Sequence, residues 1–271
     1  MLASSSGNQR VVSLLLSEGA DPNTSKMSGV TALFLASGGG HQATVCMLLQ
    51  AGARPDPLSQ EGGTPLMAAA QAGHLNVLET LLSRGADPTT SLWDGATALF
   101  LAAQNGHADC VSLLLSRPQL NVDQQRRDRA TPLWIAAQMG HEDCVRILLK
   151  HGAMVDLARS DGATPLFKAC HKGHERVVKE ILRYNPRLDT LQVISYLALT
   201  NVLNTFDSEW LELPTRCCSL WTLKPCSHPD GGRGRPQPGQ LVRFYRSGRC
   251  SGSGKEDSGP CDHSYLRWGW E

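Results

Sequence analysis

Short alanine- and leucine-rich stretches recur along this chain between more polar ones, and they recur at a fixed interval. Each opens on a threonine, and Thr31, Thr64, Thr97, Thr131 and Thr164 stand 33, 33, 34 and 33 residues apart. The phrases are TALFLASGGGH, TPLMAAAQAGH, TALFLAAQNGH, TPLWIAAQMGH and TPLFKACHKGH. Threonine caps free N–H groups, and Pro65, Pro132 and Pro165 fall at the first helical position, where proline is tolerated. A short apolar helix is therefore predicted after each threonine, as from Leu66 to Ala70. The pairs Gly40-His41, Gly73-His74, Gly106-His107, Gly140-His141 and Gly173-His174 break it, because glycine readily takes the positive φ of a turn. A second helix is predicted next, with the i, i+3, i+4 spacing of Val145, Leu148 and Leu149. Gly52-Ala53, Gly85-Ala86 and Gly152-Ala153 end it, and a polar connector long enough for a β-turn or hairpin finger leads to the next threonine. A fixed period of this length predicts a stack of identical helix-turn-helix units rather than one globular core.

This pattern resembles the ankyrin repeat family, whose TPLHxAAxxGH…V…LL…GAD phrase is matched five times between residues 29 and 190. The expected fold is an all-α repeat, an ankyrin solenoid with β-hairpin fingers. Residues 1–28 hold a partial copy, with Gly7, Val11, Val12, Leu14, Leu15, Gly19, Ala20 and Asp21 in register. Two departures stand out. Phe34, Met67, Phe100, Trp134 and Phe167 replace the usual histidine after TPL, and Arg129 replaces the usual glycine before the fourth full phrase. The second lies in the one connector lengthened by a residue, around Arg117-Pro118-Gln119-Leu120-Asn121, so that finger is expected to have its own shape.

Both ends are irregular. Ala3 aligns with Ala36, so the chain begins inside a first helix without its capping phrase, which suits a truncated or alternatively started product. Where a sixth threonine is due, Tyr196-Leu197-Ala198-Leu199 stands instead. Leu191, Ile194, Leu197, Ala198, Val202 and Phe206 keep helical spacing, so residues 191–213 read as an improvised cap. Residues 214–271 carry 9 Gly and 6 Pro without periodicity, a composition that suits disorder.

The charge is nearly balanced. Of 26 Lys+Arg and 25 Asp+Glu, residues 1–190 hold 17 of each. That lacks the basic excess of a nucleic-acid binder, and Arg126, Arg127 and Arg129, interrupted by Asp128, form the only basic knot. No uncharged apolar run is long enough to span a membrane, and the start lacks the pattern of a signal peptide, so the cytosol or nucleus is expected. Nine cysteines divide into Cys46, Cys110, Cys144 and Cys170 in repeat helices, read as small buried hydrophobes, and Cys217, Cys218, Cys226, Cys250 and Cys261 in the tail. Cys226-Ser-His228 and Cys261-Asp-His263 have the look of half-sites for zinc but lack paired CxxC spacing. The five Gly-His histidines recur at the repeat period and so read as structural. No phosphate loop, HExxH or GxSxG occurs. No enzyme, cofactor or metal is expected, and neither nucleic acid, membrane nor small-molecule substrate is expected as a partner.

The resemblance implies protein–protein binding through the hairpin fingers and the exposed edge of the first helices on the concave face. Carried over by position, the finger residues are Met27 and Ser28, Gln60 and Glu61, Trp93 and Asp94, Arg127 and Asp128, and Ser160 and Asp161. The helix-edge residues are Gln71, Gln104, Asn105, Gln138, Met139, His171 and Lys172. Trp93, with Arg127 and Met139, is the expected anchor, since large aromatics and arginines commonly carry interfaces. Its competing reading is a ring folded back on the neighbouring finger. Phe34, Phe100, Trp134 and Phe167 read as core between repeats. Two other functional readings stay open: a zinc- or redox-responsive adaptor acting through the tail cysteines, and a truncated isoform without independent function.

Overall fold

The structure, a computed structural model, describes residues 1–187. The expected cap over 191–213, the tail at 214–271 and its cysteines lie outside the described residues. Within them twelve helices run in pairs: α1 (Leu2–Ser5) and α2 (Gln9–Ser17), α3 (Ala32–Gly38) and α4 (Gln42–Gln50), α5 (Pro65–Ala72) and α6 (Leu75–Ser83), α7 (Ala98–Asn105) and α8 (Ala108–Leu115), α9 (Pro132–Met139) and α10 (Glu142–Lys150), α11 (Pro165–Lys172) and α12 (Glu175–Leu182). First helices pack on first helices and second on second, giving two layers. From α2 onward each helix has only seven to nine residues. Helices this short are marginal alone in water, so stacking supplies the stability.

The periodic threonines set the register. Each Oγ1 accepts a hydrogen bond from the backbone N–H three residues on, at Phe34, Met67, Phe100, Trp134 and Phe167, over 3.1–3.3 Å. All five are buried. Leu33, Leu66, Leu99, Leu133 and Leu166 line up as one buried column, and Leu48, Leu81, Leu114, Leu148 and Ile181 as another. Phe100 and Trp134 are buried between repeats, as the core reading expected, and so is Met67, while Phe34 and Phe167 are half-buried.

The first full repeat carries a flaw the others lack. The buried hydroxyls of Ser37 and Thr44 have no hydrogen-bond partner. Their counterparts one to four periods on are Ala70, Ala103, Ala137 and Cys170, and Val77, Cys110, Cys144 and Val177. An unsatisfied buried hydroxyl costs about 1–3 kcal/mol. Thr44→Val, which restores the residue the second and fifth repeats use, is therefore expected to stabilise by about 1 kcal/mol, read as a raised urea midpoint at unchanged slope.

The lengthened fourth connector departs from expectation. Its finger tip keeps the geometry of the others, and the extra residue is absorbed earlier, in the turn from Ser116 to Leu120 that replaces Gly-Ala after α8. A turn open to solvent takes an insertion at lower cost than a tip held on both sides. Cys46 also departs from expectation. It is half-buried, because its place in α4 matches Glu79, Ser112, Arg146 and Lys179 on the outward side of the later second helices. Cys110, Cys144 and Cys170 are buried, and burial pushes the thiol of Cys144 up to about 12 and that of Cys170 up to about 11. Thiols so held are poor nucleophiles.

Candidate functional site

All five fingers are built alike. The first residue of each tip donates its N–H to the carbonyl four residues on: Lys26 to Val30, Ser59 to Gly63, Leu92 to Ala96, Arg126 to Ala130 and Arg159 to Ala163, over 2.8–3.0 Å. Its own carbonyl accepts from the residue three on, Gly29, Gly62, Gly95, Arg129 or Gly162, over 2.8–2.9 Å. This is a tight turn closed by a residue in the left-handed region, the three-residue loop with a bulge. Among the described residues strand pairing shrinks to two isolated bridges, Ser25 with Thr31 and Ser91 with Thr97.

Arg129 is the anomaly. Its φ is 66°, where the four equivalent glycines have 75°, 81°, 89° and 78°. An L-residue there costs roughly 1–2 kcal/mol, of which glycine gives back part through the greater freedom of its unfolded chain. Arg129→Gly is expected to stabilise by about 0.5–1 kcal/mol, seen as a rise in thermal midpoint.

The fingers are tied to one another through the residues the sequence singled out. Gln60 N–H donates to the Ser28 carbonyl (2.9 Å), Trp93 to Glu61 (3.1 Å), Arg127 to Asp94 (2.7 Å) and Ser160 to Asp128 (2.9 Å). Side chains double the tie at the first three fingers. Gln60 Nε2 donates to the Met27 carbonyl (2.8 Å), and the indole N–H of Trp93 donates to the Gln60 carbonyl. Trp93 does lean back on its neighbour, yet 60% of it remains exposed. Met27 is 98% exposed.

The three finger aspartates have internal partners. Asp94, Asp128 and Asp161 each accept from the backbone N–H two residues on, at Ala96, Ala130 and Ala163, over 2.9–3.2 Å. Asp128 also holds Arg126 through two bonds of 2.9 and 2.6 Å and Arg159 through one of 2.9 Å. The Arg126 hydrogen bonds foremost hold its carboxyl well below the usual carboxylate range. Stability from this pairing is complete above the ordinary carboxyl range and is lost only as pH falls through the depressed value. The basic knot is thus divided. Arg126 is paired, its guanidinium 5.2 Å from the Phe100 ring centre, while Arg127 and Arg129 are exposed. Arg159 repeats the arrangement 5.2 Å from the Trp134 ring centre, with Lys168 5.7 Å from that ring. Sequence reading missed this coupling; its only trace was a cation in the first tip position at Lys26, Arg126 and Arg159.

The helix-edge candidates cluster at the far ends of the inner helices. Gln104 and Gln138 are half-buried at the ends of α7 and α9, while Met139 and His171 are exposed on α9 and α11. Met139 and the fourth finger flank α9 at opposite ends, roughly 10 Å apart along its axis. Trp93 and Arg127 are therefore neighbours and Met139 is not in their immediate company.

The Gly-His histidines have a structural duty between repeats. Nε2 of His41, His74, His107, His141 and His174 lies 3.0–3.1 Å from the carbonyls of Ser5, Gly38, Gln71, Gln104 and Gln138 in the preceding repeat. Among the described residues no cluster of three or more His, Cys, Asp or Glu is placed to hold a metal, and no helix is long and apolar enough to cross a membrane.

Comparisons with known proteins agree with this architecture. A family model described as ankyrin repeats (3 copies) matches residues 1–92 and again 99–193. Among solved structures, the crystal structure of the human ASB11 ankyrin repeat domain matches at 30% identity with a TM-score of 0.65, covering 69% of this chain and 84% of that one. No curated protein matches. With two family matches spanning most of its length and a stack of capped helix pairs beneath them, this chain belongs to the ankyrin repeat family.

Proposed function

We propose that the chain is a non-catalytic protein-binding module, a scaffold or adaptor, whose partner lies along the fingers and the inner-helix edge on the concave side of the stack. The binding residues would be Met27, Gln60, Glu61, Trp93, Asp94, Arg127, Asp128, Ser160 and Asp161 on the fingers, with Gln104, Gln138, Met139 and His171 at the helix ends. Ankyrin repeats are in general protein–protein interaction modules, which supports the class. The observation that carries the location is Trp93. It is a large aromatic, mostly exposed, held in one orientation by its bond to Gln60. Rigid aromatics lose little entropy on binding and often dominate interface energies. Asp128 and Asp161 support the surface chiefly by fixing their own tips.

The test is an affinity capture with the whole chain, beside the variant Trp93→Ala, Arg127→Ala and Met139→Ala, both first shown to be folded by circular dichroism. A protein captured by the first should bind it directly when purified, and should bind the variant at least tenfold more weakly. Equal binding by both would move the interface off this face.

A further inference from the structure

The fingers hold two complete assemblies of one kind. In each, a guanidinium lies over an aromatic ring and is bonded to a carboxylate, the two sharing Asp128. Arg126 lies over Phe100 and is bonded to Asp128. Arg159 lies over Trp134 and is bonded to Asp128 at 2.9 Å and to Asp161 at 3.5 Å. A cation over an aromatic face is attracted by the ring quadrupole, and carboxylates beside it add charge-assisted hydrogen bonds.

Trp93 is an aromatic at a different place, the second tip position of the third finger rather than the inner-helix position of Phe100 and Trp134. Its backbone N–H donates to the backbone carbonyl of Glu61, and Asp94 follows it in the chain. Glu61 and Asp94 are exposed, and neither has an ion-pair partner within 4.0 Å among the described residues, although Asp94 is near enough to favour the charge on Arg126. One oxygen of Asp94 is taken by the Ala96 N–H. The cation–ring contacts of the described residues fall on Phe100, Trp134 and Phe167, none on Trp93. The indole N–H of Trp93 is already spent on Gln60, so the exposed ring has no donor left for an incoming acceptor. What it offers is its exposed face, on a stretch of surface where the exposed Glu61 and Asp94 add negative charge.

We propose that this site is completed in trans: Trp93, Glu61 and Asp94 receive a lysine or arginine side chain from an extended segment of the partner protein. The inference rests on the finger face being the binding face. The next finger sharpens it. Arg127 and Arg129 are exposed there, so a long basic run would be repelled. The partner segment carries its cation opposite the second and third fingers and neutral or acidic residues opposite the fourth.

A library of displayed random twelve-residue peptides selected on the full chain provides the test. An enriched peptide is then synthesised with and without norleucine in place of its Lys or Arg, and its affinity is measured by fluorescence anisotropy. Enriched peptides should share a Lys or Arg. Norleucine should weaken binding about tenfold, and so should Trp93→Ala. Glu61→Gln with Asp94→Asn, which keeps an oxygen for the Ala96 N–H, should also weaken it, by an amount that shrinks as salt is raised. That charge variant decides the matter should Trp93→Ala fail to fold. Peptides that need Trp93 yet bind equally well with norleucine would overturn the cation site and leave the finger interface standing. Peptides indifferent to Trp93, or no enrichment at all, would overturn both.

Discussion

Replacing Trp134 by alanine is expected to destabilise the stack by about 4 kcal/mol, the range for removing a large aromatic from a packed core. The ring is 2% exposed between the fourth and fifth full repeats, and its indole N–H donates to the Ala163 carbonyl over 2.8 Å. Arg159 and Lys168 lie over it. Truncation opens a cavity and removes the surface on which both cations rest. The Ala163 carbonyl keeps its bond from the Arg159 N–H, so the loss is mainly one of packing rather than of an orphaned acceptor. Trp134→Phe, which restores the residue the first, third and fifth repeats use, should cost no more than about 1.5 kcal/mol, as volume-tolerant swaps do. Urea unfolding followed by far-ultraviolet circular dichroism measures both. A loss below about 1.5 kcal/mol for the alanine variant would mean that Trp134 contributes little to the junction. Because each repeat touches only its neighbours, the damage should also be local. The last described helix pair, α11 and α12, should unfold before the repeats in front of it, giving transitions that no longer coincide between probes.

The contrast between Trp134 and Trp93 shows where sequence reading reaches and where it stops. Trp134 stands three residues after a capping threonine, and the helical register places it toward the next repeat. That is local information, and it sufficed to read the residue as core. The caps, the helix pairs and the Gly-His turns were legible for the same reason, since each depends on residues within one period. Trp93 lies on a tip, where two readings competed. Its orientation is set by a carbonyl 33 residues back, whose distance depends on how the repeats stack. The cation over Phe100 and the cation over Trp134 are likewise contacts between successive units. Spacing along the chain fixes which residues are equivalent but not which of them touch. The extra residue near Arg117 illustrates the same limit. Its existence is plain in the interval from Thr97 to Thr131, yet only the bonds holding the tip on both sides show that the turn after α8 must yield instead.

The Gly-His pair carries the second large effect, which neither residue explains alone. Gly106 has a φ of 79°, and a Cβ built on it would fall 2.6 Å from Nδ1 and 2.8 Å from Cε1 of His141 in the following repeat. The same ring is anchored by Nε2 at 3.0 Å from the Gln104 carbonyl. Gly106→Ala therefore brings two penalties, a left-handed backbone of about 1 kcal/mol and displacement of the ring with loss of its hydrogen bond, about 2 kcal/mol more. The expected total is about 3 kcal/mol. Gly152 separates the two terms, for its φ is 83° and nothing lies within 4 Å of its would-be Cβ. Gly152→Ala should cost only the backbone part, about 1 kcal/mol. The excess at Gly106 should largely vanish when His141→Ala is already present, since the ring it meets is then gone. Such non-additivity, measured as a double-mutant cycle in urea, identifies a direct contact. Additive costs would show instead that the histidine and the glycine serve their turns independently. The same geometry recurs at Gly7 with His41, Gly40 with His74, Gly73 with His107 and Gly140 with His174. From Gly40 to Gly140 one glycine thus stands at the turn after its own inner helix and seats the next repeat's histidine, which ties the recurrence of the pair to the stacking of successive full repeats.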